Sequence, residues 1–188
     1  SYSEEIKQLY RQLGVAYARV VETVPDFTLP KDPLEWHATC HHNDPKLMEY
    51  AEFFADFKKS QYLKLMYVWG HSYEFDNNDN WDVIENFCKY MGGRDDIWYA
   101  TNGEICEYVT AMRSVTPKNG QLFNTSSQPL YIRRNGADVL LQPGDQILEQ
   151  GRINLDRRVL VGIRQRNDHI VEGHCRLLGI FGHRRIGI

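Results

Sequence analysis

The sequence predicts an α/β fold: a partial (β/α) barrel followed by a small C-terminal antiparallel β appendage. Three observations predict it. Apolar strand-like runs alternate with amphipathic helical segments through residue 113, which is the pattern of βα units on a parallel sheet. About four such units fit in that length, against the roughly 250 residues of a closed eight-unit barrel. After Ser114 the pattern changes to short β-prone runs around Asn135-Gly136, and Asn-Gly supplies the two positive-φ positions of a tight hairpin.

Ser3 is placed to cap a first helix with Glu4 and Glu5 in its opening turn, an apolar stripe of Ile6, Leu9, Tyr10 and Leu13, and a stop at Gly14. Residues 15–21 read as a strand, and residues 35–40 as a second one beyond a loop holding Pro25, Pro30 and Pro33. Asp44 then caps a helix with Pro45 at its first position and Leu47, Met48, Ala51, Phe54 and Ala55 at helical spacing. Leu63 to Trp69 is a largely apolar run, as expected of a buried parallel strand, and an Asp- and Asn-rich loop follows Gly70. The helix from Trp81 to Met91 presents Ile84, Phe87, Cys88 and Met91, the strand Ile97–Ala100 follows, and Thr101 with Glu104 forms a capping box for a helix carrying Ile105, Tyr108, Val109 and Met112. Three units result: residues 1–113, a β appendage over 114–150, and an Arg-rich tail over 151–188.

Charge separates the tail from the rest. Residues 1–150 hold 8 Lys and 6 Arg against 22 acidic residues, a net of -8, whereas residues 151–188 hold 8 Arg against 3 acidic residues, a net of +5. The run from Arg158 to Arg164 reads as a solvated edge strand, and the change of composition is equally what an extended or shifted reading frame gives. With a total of -3 there is no field to draw the chain onto nucleic acid. No apolar run approaches the roughly 18 residues of a spanning helix, and no signal segment opens the chain, so no membrane is expected. Cys40, Cys88, Cys106 and Cys175 show no C-x-x-C pair and no regular spacing, so neither a zinc knuckle nor a disulfide framework is indicated, which fits a reducing, cytoplasmic compartment.

In parallel α/β folds the chemistry gathers beyond the C-terminal strand ends. That rule places Glu22-Thr23, Cys40-His41-His42, Gly70-His71-Ser72 and Thr101-Asn102 on one face. His37 and His41, in an extended segment at about 3.3 Å per residue, lie some 13 Å apart and share no ion. His41 or His42 with His71 is the alternative metal set. His71, directly after the apolar strand and three residues before Glu74, suits a proton donor near neutral pH.

Four blocks in order carry a resemblance: residues 14–19 (Gly-Val-Ala-Tyr-Ala-Arg), 36–42 (Trp-His-Ala-Thr-Cys-His-His), 69–75 (Trp-Gly-His-Ser-Tyr-Glu-Phe) and 97–105 (Ile-Trp-Tyr-Ala-Thr-Asn-Gly-Glu-Ile). Together they resemble the C-terminal half of a polysaccharide deacetylase of the NodB-homology, carbohydrate esterase family. The resemblance implies a (β/α) barrel that removes acetyl groups from a polysaccharide. A divalent metal such as zinc polarises the acetyl group there, a carboxylate is the base, and a late histidine protonates the leaving group. It implies His71 as that catalytic histidine, with Arg19, Trp36 and His41 lining the substrate groove and carbohydrate as the partner. The family's Thr-Phe-Asp-Asp and His-x-x-x-His blocks, which supply base and metal ligands, are not in this sequence. The expectation is therefore a chain without a metal site of its own, weakly active by itself, whose open sheet edges a second copy closes. A silent carbohydrate-binding module, or a distinct metalloprotein using His41, His42 and His71, are the alternatives.

Overall fold

The computed structural model describes residues 2–57, 63–134, 137–148, 153–155 and 158–161. Helix α1 (Glu4–Gln12) leads into β1 (Arg19–Thr23), a 3-10 turn (Pro33–Glu35), β2 (Trp36–Ala38) and β3 (Cys40–His41). Helix α2 (Leu47–Asp56), β4 (Leu65–Trp69), α3 (Ser72–Asn78), α4 (Trp81–Met91), β5 (Ile97–Ala100) and α5 (Asn102–Arg113) complete the βα portion. Every strand pairing within it is parallel: β1 with β2, and β3-β4-β12-β5, where β12 (Arg158–Val161) comes from the tail. Among the described residues no sheet closes on itself.

Alternation along β4 explains why its sequence is apolar throughout. Met66 and Val68 join a buried cluster with Leu47, Ala51 and Phe54 of α2 and Ile84, Phe87 and Met91 of α4. Leu65 and Tyr67 join a second cluster with Trp36, Ala38 and Ile105, Cys106 and Val109 of α5. A strand covered on both faces has no polar side to show. Thr39, between β2 and β3, keeps the ladder intact across the break, since its amide donates to the Tyr67 carbonyl at 2.7 Å and its Oγ1 accepts from the Tyr67 amide at 2.9 Å.

The appendage is antiparallel, as expected. It comprises β6 (Thr116–Lys118), β7 (Gln121–Phe123), β8 (Leu130–Arg134), β9 (Ala137–Leu141) and β10 (Gln146–Leu148), and β11 (Ile153–Leu155), from the segment read as tail, joins it, in two three-stranded sheets, β10-β7-β6 and β11-β8-β9. The β8–β9 register pairs Arg134 with Ala137; the expected turn residues Asn135 and Gly136 lie outside the described residues. The Tyr131 amide donates to the Tyr108 hydroxyl at 3.2 Å and ties the appendage to α5.

Five expectations need correction. Strand β1 begins at Arg19, four residues later than residues 15–21 suggest. Helix α2 starts at Leu47, because the Asp44 side chain caps a preceding turn by accepting from the Lys46 amide at 2.9 Å. The Asp- and Asn-rich segment after Gly70 is helix α3 rather than a loop, ending at Asp79 in the left-handed conformation. The run beginning at Arg158 is an interior strand, held between β4 and β5, instead of an edge. Apart from residues 153–155 and 158–161, the tail lies outside the described residues.

The fifth correction concerns α1. Ser3 caps it as expected, yet Ile6, Leu9 and Leu13 are exposed and the buried residue is Lys7. The Lys7 ammonium bonds to Asp32 at 3.1 Å and to Glu35 at 2.9 Å, and also pairs with Glu4. Lys7 holds Glu35 below the usual carboxylate range. Burial pushes Asp32 up, but the Leu34 amide and Lys7 outweigh it and leave it lowered too. A lowered folded-state pKa gives stability that is present above the unfolded value of about 4 and is lost as pH falls through the folded one. Acidification below about pH 4 should therefore release α1 first. Amide hydrogen exchange of residues 4–12 across that range tests this, and α1 amides that stay protected until global unfolding would refute it.

Candidate functional site

The C-terminal ends of β3 and β4 and the start of α3 bring the imidazoles together. β3 pairs with β4 so that His41 lies beside Trp69, and the His42 amide donates to the Trp69 carbonyl at 2.8 Å. The His42 ring is fully buried and lies against Phe75, with ring centroids 4.2 Å apart. Gly70 makes room for it, because a Cβ there would lie 1.6 Å from His42 Cδ2. His41 is partly exposed and meets Trp69 edge-on at 4.6 Å.

Glu74, at the third position of α3, points back into this cluster. Its Oε2 lies 2.6 Å from His42 Nε2, 3.2 Å from His41 Nε2 and 3.1 Å from the His71 amide. Burial pushes the Glu74 carboxyl up, but the His71 amide, the His42 bond and His41 overcome it, so its pKa is lowered and it is ionised at neutral pH. Burial, with the neighbouring His42, lowers His41, which stays neutral there.

The resemblance implies a divalent metal, and the donors this chain brings together are His41, His42 and Glu74. The ligand atoms of His41, His42 and Glu74 lie within 4.8 Å of one another, close enough to share an ion. The hydrogen bonds put protons where the ion would bind. An ionised carboxylate only accepts, so His42 Nε2 must donate to Glu74. The Asn43 amide donates to His41 Nδ1 at 3.2 Å, so that nitrogen carries the lone pair and His41 Nε2 carries the proton. A cation at this spot would displace both Nε2 protons and face the Asn43 donor with a protonated Nδ1. The set as folded fits protons better than a metal.

The expected site residues divide. Arg19 places its guanidinium over the Trp69 ring at 4.2 Å from the centroid, His41 adjoins the same ring, and His71 lies edge-on to it at 6.0 Å and stacks on Tyr73 at 5.2 Å. These three converge around Trp69. Trp36 does not: it is 1% exposed, packed between Tyr17 and Tyr67, and offers no face to a groove. Sequence reading missed His42 and Glu74 as a pair and Trp69 as the shared platform. The pointer to Glu74 was its spacing from His71, the same three-residue step as in the Thr101–Glu104 capping box.

Away from this site, a cleft of about 290 Å³ is lined by Asp26, Lys31, Asp32, Glu35 and His37. Among the described residues no helix is long and apolar enough to cross a membrane. Comparison with family models, with curated proteins and with solved structures found no match to this chain.

Proposed function

We propose that this chain is the proton-donating and groove-lining part of a polysaccharide deacetylase-type hydrolase, one that removes N- or O-acetyl groups from a carbohydrate polymer. The observation that carries the reading is the convergence of Arg19, His41 and His71 on Trp69 at the C-terminal strand ends. An indole face with a cation on it and imidazoles at its edges suits a sugar ring, which offers C–H faces to stack and hydroxyls to bond.

In this reading His71, exposed beside Trp69 and Tyr73, delivers a proton to the leaving nitrogen or oxygen as the tetrahedral intermediate collapses. His41, its two nitrogens engaged by the Asn43 amide and by Glu74, lines the groove beside Trp69 with its ring. Arg19, fixed against Trp69 and donating to the Val20 carbonyl at 3.1 Å, supplies positive charge at the rim. In the family the ligands of a divalent metal lie in other sequence blocks; the residues here supply binding and the proton. A second reading, a carbohydrate-binding module, uses the same Trp69 platform.

Acetate release from acetylated chito-oligosaccharides and acetylxylan, with added zinc, separates the two. If the hydrolase reading holds, His71→Ala lowers kcat by about 10²–10⁴-fold with little change in KM. Oligosaccharide binding without acetate release, insensitive to chelator and to His71→Ala but lost on Trp69→Ala, would replace it with the binding reading.

A further inference from the structure

One carboxylate oxygen serves three donors drawn from three places: His41 at the end of β3, His42 just beyond it, and the His71 amide at the mouth of α3. Capping α3 requires only the last of these, and glutamine caps as well as glutamate. The two imidazoles require more: an acceptor in a fixed place that carries charge and holds no proton. We propose that Glu74 is the positioning residue of the site, fixing the Nε2–H tautomer and ring orientation of His41 and His42 while it anchors the backbone of His71.

The surroundings make the assignment specific. His42 cannot turn, because its ring fills the space beside Gly70 and lies against Phe75. Its Nδ1 is buried without a hydrogen-bond partner, so the ring is held from its Nε2 side by Glu74 alone. A charge-assisted bond of 2.6 Å is of the short, strong kind. His41 is fixed from both sides, by the Asn43 amide at Nδ1 and by Glu74 at Nε2. What the presented His41 and His71 rings do rests on the hydrolase reading above; the tautomers do not.

The chain carries a built-in control, since Glu104 caps α5 in the same way by accepting from the Thr101 amide at 2.7 Å. Long-range ¹⁵N–¹H spectra of the ¹⁵N-histidine-labelled full chain at neutral pH read each ring's tautomer directly. The wild type should show the Nε2–H pattern for both His41 and His42. Glu74→Gln should convert at least one of them to a mixed pattern with far-UV circular dichroism unchanged, while Glu104→Gln leaves both as they were. Glu74→Asp, which keeps the charge but withdraws the oxygen by one methylene, is the second variant and should also give mixed tautomers. An Nδ1–H pattern in the wild type, or unchanged patterns in both Glu74 variants, would overturn the proposal. So would uptake of one Zn²⁺ per chain with chelator-reversible loss of the Nε2–H signals, which would make the cluster a metal centre. Failure of the wild type to release acetate would remove the hydrolase reading and leave these tautomer results to decide the role of Glu74.

Discussion

An alanine at position 70 should destabilise the protein by about 3 kcal/mol, the upper end of what overpacking a dense core costs. The added carbon would sit 1.6 Å from His42 Cδ2, 2.3 Å from Nε2 and 2.8 Å from Cγ, all of them ring atoms of a side chain with no exposed surface. The ring has nowhere to go, because Phe75 lies against it and Glu74 holds its outer nitrogen. Either the end of β4 moves or His42 leaves its bond, and both dismantle the cluster. At roughly 2–4 °C per kcal/mol for a chain of this size, calorimetry should record a fall in Tm of about 6–12 °C. A Tm within about 2 °C of wild type would mean that His42 does not occupy the space beside Gly70.

Truncating Phe75 to alanine should be costlier, about 3–5 kcal/mol, the range for deleting a fully buried aromatic ring. Phe75 has no exposed surface, contacts the ring of Trp81 at 5.1 Å and lies against the His42 ring at 4.2 Å. Urea unfolding should show a lower midpoint with the slope unchanged. Phe75→Leu, which keeps most of the volume, should recover more than half of the loss. Equal losses for alanine and leucine would show that stacking on His42, and not volume, is what Phe75 supplies.

Much of the frame was readable because it rests on local signals. The stripe Ile84, Phe87, Cys88 and Met91 and the capping box at Thr101 are periodicities and short spacings, and α4, β5 and α5 appear where those signals put them. The strand-end rule likewise located His41 and His71. What escaped were contacts made across sequence distance. Glu74 meets His42 from 32 residues away, and no period announces that. Helix α3 carries Tyr73 and Phe75 among polar residues, so it shows no apolar stripe and is started by its cap instead. Trp36 sits beside the histidine-rich block in sequence, but strand alternation sends it into the second core cluster. Nothing local about Arg158 to Val161 reveals that two earlier strands flank it.

Helix α1 is anchored by an ammonium group among carboxylates while its oily side chains face outward. Added salt therefore acts on it in two opposed ways. Mobile ions screen the Lys7 tether, whose partners Asp32 and Glu35 are about one-third exposed and Glu4 more so, and so weaken its hold on the body. A strongly hydrated salt such as sulfate is excluded from apolar surface and raises the cost of leaving Ile6, Leu9 and Leu13 in water. Chloride and sulfate at equal ionic strength are thus not interchangeable for this protein: the first loosens the helix, and the second also drives its outer stripe toward any apolar surface within reach.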